Sequence, residues 1–84
     1  MAGTGKGSNA RQRELGLRIR VKRTELALSQ EQLAHRAGLH RTYIASLESG
    51  ERNPGLHTLV KLALALGVDV ADLVRGLQAL DARP

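Results

Sequence analysis

The chain has 84 residues, 42% of them hydrophobic, with one Tyr and no Phe, Trp or Cys. That length bounds it to one domain with a thin margin for a core. The missing cysteines exclude a disulfide framework, and no apolar run approaches the roughly 20 residues that span a bilayer. Its net charge of +5 is concentrated at one end: residues 1–23 hold seven basic side chains against Glu14 alone, residues 24–68 balance, and residues 69–84 carry a slight negative excess.

The first stretch, MAGTGKGSNA, is rich in small residues and shows no periodicity, so residues 1–9 are expected to form a disordered tail. It has no apolar h-region, which argues against a secretory signal and for a cytoplasmic protein. Its GTGKGS string lacks the spacing of a phosphate-binding loop. From Ala10 to about Ala27, Leu15, Ile19 and Leu26 fall mainly at helical spacing between arginines, predicting a first helix. Ser29-Gln30-Glu31-Gln32 fits a capping box, so a second helix is expected from Gln30 to about Ala37, with Leu33, Ala34 and Ala37 inward. Gly38 ends it, since glycine takes a left-handed conformation without a Cβ penalty.

A third helix is predicted from Arg41 to Ser49, with Ile44 and Leu47 inward and Gly50 closing it. Residues 51–55, ERNPG, read as a loop. Leu56, Leu59, Leu62, Ala63 and Leu66 define a fourth helix that stops at Gly67, and Val70, Leu73, Val74, Leu77 and Leu80 a fifth. The expected organisation is an all-α, five-helix domain over residues 10–80 with a flexible end at 81–84.

The second and third helices are joined by a short glycine turn, and the third has one apolar face and one carrying Arg41, Thr42 and Ser46. A helix-turn-helix needs this division, because its second helix must hold a core and offer hydrogen-bonding groups to DNA. Arg41 and Thr42 open that helix, where Arg41 can take guanine O6 and N7 bidentately and Thr42 can bond a base edge or meet a thymine methyl. The blander alternative is that Arg41 reaches a phosphate and Thr42 caps the helix. Ser46 lies one turn beyond Thr42 on the same face. Gln30 stands at a helix N-terminus, where an anion is favoured. Ser49, Arg52 and Asn53 follow the third helix and can hold flanking backbone, with Arg52 also long enough for a minor groove. Tyr43 fits either a core edge or the groove side, and His40 borders the recognition helix. Arg11, Arg13, Arg18, Arg20 and Lys22 suit either phosphate contacts or a solvated face. His35, His40 and His57 have no metal-ligand spacing, and no nucleophile environment stands out, so no metal, cofactor or catalytic residue is expected.

The chain resembles the lambda-repressor-like helix-turn-helix family, the Xre/Cro group. The resemblance rests on Gly16, Ile19-Arg20, the run Leu28 to Ala34, Gly38-Leu39, Tyr43-Ile44 and Leu47-Glu48-Ser49-Gly50, then Arg52, Pro54, Leu56, Leu59, Leu62-Ala63 and Ala65 to Val68. It implies base reading by Arg41, Thr42 and Ser46, a phosphate clamp at Gln30, and an Arg23–Glu48 ion pair that fixes the third helix. Arg41-Thr42-Tyr43-Ile44, Leu47-Glu48 and Arg52-Asn53 look most like the controller proteins of restriction-modification systems. Those are homodimers that bind operators upstream of their own gene and time endonuclease expression; phage repressors and antitoxins share much of the pattern.

One recognition helix reads few base pairs, so a homodimer on a near-palindromic operator of double-stranded DNA is expected. The surplus apolar positions Leu66, Val68, Val70, Leu73, Val74 and Leu77 are the predicted isologous interface; the alternative is that they all pack internally. RNA polymerase is a further candidate partner, and the protein would be nucleoid-associated. The rival of another class is a protein-interaction adaptor. Arg41 and Thr42 argue against it, since an adaptor helix more often presents an apolar anchor.

Overall fold

The computed structural model describes residues 10–81; the expected tail at 1–9 and residues 82–84 lie outside them. Five α-helices follow in order: α1 (Ala10–Glu25), α2 (Gln30–Ala37), α3 (Arg41–Glu48), α4 (Leu56–Leu66) and α5 (Val70–Val74), with a 3₁₀ turn at Leu77–Asp81. There is no strand among the described residues. The core is aliphatic: Ile19, Leu33, Ile44, Leu47, Leu62 and Leu66 are each at most 2% exposed, and Leu15, Ala34, Ala37, Ala63 and Leu73 complete the cluster. Each helix therefore contributes one apolar stripe, and α2 and α3 pack against each other, with α1 behind α3 and α4 behind α2.

The local chemistry that starts and stops α2 is that expected from its residues. Ser29 Oγ accepts from the Gln32 amide at 3.0 Å, and Gln32 Oε1 accepts from the Ser29 amide at 2.8 Å. At the other end Gly38 has φ 68°, and the Leu39 amide donates back to the Ala34 carbonyl at 2.9 Å. This closing pattern satisfies the last carbonyls of α2 and turns the chain directly into α3.

Several expectations are corrected. α1 stops at Glu25, because Ala27 adopts a positive φ of 59°; Leu26 is left 40% exposed and Leu28 enters the core. α3 ends one residue before Ser49, which is its C-cap. Leu56 opens α4 but is 71% exposed. The fifth helix is broken: Arg75 leaves helical geometry with ψ 126°, Gly76 follows at φ 76°, and Leu80 is 47% exposed.

The predicted dimer face also changes. Leu66 and Leu73 are 2% exposed within this single chain, so they belong to its own core and cannot be offered to a partner. Val68, Val70, Val74 and Leu77 pack half-buried against the same core. The large apolar side chains that remain open are chiefly Leu17 and Val21 on α1 and Leu56, Val60 and Leu64 on α4.

Candidate nucleic-acid interface

The geometry of the interface begins with α1. A Cβ on Gly16 would run into the carbonyl oxygens of Leu47 and Glu48, so α1 lies directly against the last turn of α3 with no room for a side chain between them. Two turns further along α1, Arg23 reaches the same end of α3. Its Nε donates to Glu48 Oε2 at 2.6 Å, its Nη2 to Glu48 Oε1 at 3.0 Å, and its Nη1 to the Leu28 carbonyl at 2.7 Å. The paired side chains are only 11% and 4% exposed. Hydrogen bonding to Glu48 raises the Arg23 pKa above its ordinary value, against the opposing effect of burial.

Gln30 joins this network, its Nε2 donating to Glu48 Oε1 at 3.1 Å. One carboxylate thus ties α1, the start of α2 and the end of α3 together. Because Glu48 can only accept, it also fixes which end of the Gln30 amide faces it. The second N–H of that amide has no partner among the described residues.

At the opposite end of α3, Arg41 and Thr42 are exposed. The N-cap of α3 is His40, in extended conformation and without a side-chain cap bond. Thr42 is therefore not the cap. The first turn of α3 presents both side chains to solvent, and no side chain caps its amides, of which that of Tyr43 donates to the His40 carbonyl at 3.0 Å. Such a helix start suits acceptor groups such as phosphate oxygens or base edges. Ser46 is half-buried and its hydroxyl donates to the Tyr43 carbonyl at 2.9 Å. Ser49 is exposed and donates to the Ser46 carbonyl at 3.0 Å. Tyr43 packs at the core edge, with the Arg52 guanidinium carbon 5.4 Å from its ring centre. Arg52 and Asn53 are both exposed.

Side chains of the basic face on α1 are engaged within the chain. Arg18 pairs with Glu14 at 3.0 Å and bonds the Leu73 carbonyl at 3.1 Å, and Lys22 lies 3.8 Å from Glu25. Arg20 is exposed. No cluster of His, Asp or Glu among the described residues has the make-up of a metal site, and no described helix is long and apolar enough to cross a membrane.

Residues 19–73 match the family model described as Helix-turn-helix. The chain belongs to the helix-turn-helix family. This is a family of DNA-binding regulators and not of enzymes. The control protein C.SmaI of Serratia marcescens is 60% identical over 47 residues, which cover 56% of this chain and 56% of that relative, little more than half of its length. The crystal structure of the restriction-modification controller protein C.AhdI from Aeromonas hydrophila superposes with a TM-score of 0.76 at 42% identity, over 77% of this chain and 98% of that one. The P22 c2 repressor, solved in complex with a synthetic operator, gives a TM-score of 0.70 at 31% identity, over 74% of this chain and 94% of its own. The matched span, residues 19–73, contains α2 and α3 together with the Arg23–Glu48–Gln30 network.

Proposed function

We propose that this helix-turn-helix protein is a sequence-specific, DNA-binding transcription regulator. In this reading it acts as a homodimer on a near-palindromic operator and controls its own gene and that of a restriction endonuclease. The observation that carries the reading is the exposed, uncapped first turn of α3, with Arg41 and Thr42 outward and the far end of the helix pinned by Glu48. A reading helix needs both properties: outward donors, and an orientation fixed before DNA arrives. The likeness to control proteins favours the restriction-modification role. The likeness to the P22 repressor supports a phage-type repressor as the second reading. In either case residues 10–80 are the working unit in the cytoplasm, on the nucleoid. A regulator beside a promoter also meets RNA polymerase, which makes the polymerase a proposed second partner.

Arg41 and Thr42 are assigned to base edges. Gln30, His40, Tyr43, Ser49, Arg52 and Asn53 are assigned to the backbone or an adjacent groove. The test is selection from a randomised duplex library at fixed, near-physiological salt, with Arg41→Ala beside the parent. The expected outcome is a near-palindrome with half-sites one helical turn apart, whose guanine preference relaxes in the mutant. Losing the bidentate contact should cost about 1–3 kcal/mol of discrimination at that base pair. No enriched sequence, with binding that only falls steeply with salt, would defeat the reading.

For the dimer, the open stripe Leu56, Val60 and Leu64 on α4 is the apolar area a second copy can cover, beside the half-buried Val68, Val70, Val74 and Leu77. Leu64 is 78% exposed, so a charge there leaves the fold intact and acts on association alone. Leu64→Glu is expected to raise the dimer dissociation constant at least about tenfold, since an unpaired charge buried between subunits costs more than about 1.4 kcal/mol. Sedimentation showing an unchanged dimer would move the interface elsewhere.

A further inference from the structure

Three observations meet at the C-terminal half of α3 and are not used by the assignments above. The Ser46 hydroxyl donates its single proton to the Tyr43 carbonyl at 2.9 Å. The same oxygen accepts from Arg52 Nε at 3.0 Å. The Arg52 guanidinium lies over the Tyr43 ring, 5.4 Å from its centre, and that ring is itself fixed at the core edge.

A serine hydroxyl has one hydrogen to give. With it committed to Tyr43, Ser46 has no donor left for a base, and its acceptor side already faces Arg52. The arginine is held twice, by its Nε and by the aromatic face, while its terminal Nη1 and Nη2 have no partner among the described residues. Those two nitrogens form a planar fork that matches a pair of acceptor oxygens or the O6/N7 edge of guanine. Arg52 stands in the loop after α3 but is anchored to the residue one turn from Thr42, so it extends the exposed face of that helix.

We propose that Ser46 and Tyr43 are positioning residues that hold Arg52 as a second, pre-set DNA-contacting fork, and that Ser46 acts on DNA through Arg52 and not through its own hydroxyl. This rests on the DNA-binding reading above. Its benefit is preorganisation: a free arginine loses rotamer freedom when it binds, and one already held loses less.

The experiment has one arm without DNA and one with it. In the free protein, the Arg52 Nε–H signal in a nitrogen–proton correlation spectrum is expected to exchange slowly in the parent and in Ser46→Thr, and to collapse to solvent-exposed behaviour in Ser46→Ala. An already averaged signal in the parent overturns the proposal whatever the DNA result. With the selected operator, Ser46→Ala should weaken binding about three- to tenfold, the weight of immobilising one long side chain. In an Arg52→Ala background it should change affinity less than about twofold, and Ser46→Thr should restore the parent value. Equal losses in both backgrounds would mean that Ser46 meets DNA directly and would overturn the proposal. Both remaining patterns for Arg52→Ala support it: loss confined to one base pair assigns the fork to guanine, and uniform loss with a salt slope smaller by about one assigns it to a phosphate. A parent that selects no operator defeats the functional reading and the fork's contact with DNA together, while the Nε signal still reports separately whether Ser46 holds Arg52.

Discussion

Glu48→Ala is expected to lower the unfolding free energy by about 3–5 kcal/mol, the range for removing one partner from a buried ion pair. The figure applies because both side chains are withdrawn from water, with Arg23 only 11% exposed. After the substitution three donors lose their acceptor: Arg23 Nε and Nη2, and Gln30 Nε2. The guanidinium would keep only its bond to the Leu28 carbonyl. Small domains hold about 5–15 kcal/mol in all, so the variant should be at or near the point of unfolding. Replacing both partners together, Arg23→Met with Glu48→Leu, should cost far less, because no charge is then stranded. The pair's worth is accordingly a coupling energy, read from a double-mutant cycle by urea unfolding. A loss under about 1 kcal/mol for Glu48→Ala, with no coupling to Arg23, would show that the pair is not what holds α3 in place. If it does hold α3, the double replacement should fold yet bind DNA less selectively, since the Gln30 amide has lost the acceptor that oriented it.

The parts of this fold that local chemistry decides were legible in the sequence. Ser29 and Gln32 declare the start of α2, Gly38 its end, and the spacing of Ile44 and Leu47 against Arg41 and Thr42 declares which face of α3 is open; Ser46, on that same pattern, is half-buried. What failed was extrapolation of a period past its stop. Leu26 continues the spacing of Leu15 and Ile19, but the turn at Ala27 rotates the chain, so that Leu28 takes the core place instead. Val70 to Leu80 keeps helical spacing throughout, yet the chain breaks at Arg75 and Gly76, where a positive φ of 76° suits glycine. The count of surplus apolar residues ran into the same limit. Periodicity says that Leu66 and Leu73 are inward on some face, but whether that face meets its own chain or a partner is a tertiary question. The open stripe at Leu56, Val60 and Leu64 is masked in the sequence, because Leu56 shares the helical period of Leu59, Leu62 and Leu66 yet faces solvent. Within the interface, contacts at long separation were beyond reach of residue-by-residue reading. Gln30 and Glu48 are 18 positions apart, and the bond from Arg52 to Ser46 depends on the path of a loop whose sequence announces only that it turns.

Gly16→Val should destabilise the protein by about 3 kcal/mol and Gly16→Ala by about 2 kcal/mol, as overpacking against atoms that cannot move aside. The sign is not the one helix propensity gives. Gly16 lies inside α1, where alanine would ordinarily gain up to about 1 kcal/mol over glycine. Here the added carbon meets backbone on the facing helix: the Leu47 carbonyl oxygen, and the Glu48 carbonyl oxygen at 2.8 Å. Neither is the end of a flexible side chain, so relief requires α1 and α3 to separate. Separation stretches the two bonds from Arg23 to Glu48 and tilts the exposed first turn of α3 with the rest of the helix. Stability and DNA affinity should therefore fall together, and the affinity loss should be spread over every base pair of the operator. Leu17→Ala supplies the contrast, since Leu17 adjoins Gly16 but is 50% exposed; its effect should stay within about 0.5 kcal/mol. Thermal and urea unfolding of the three variants decide the matter. A Gly16→Ala protein more stable than its parent would mean that propensity outweighs the contact, and that α1 does not set the seat of the recognition helix.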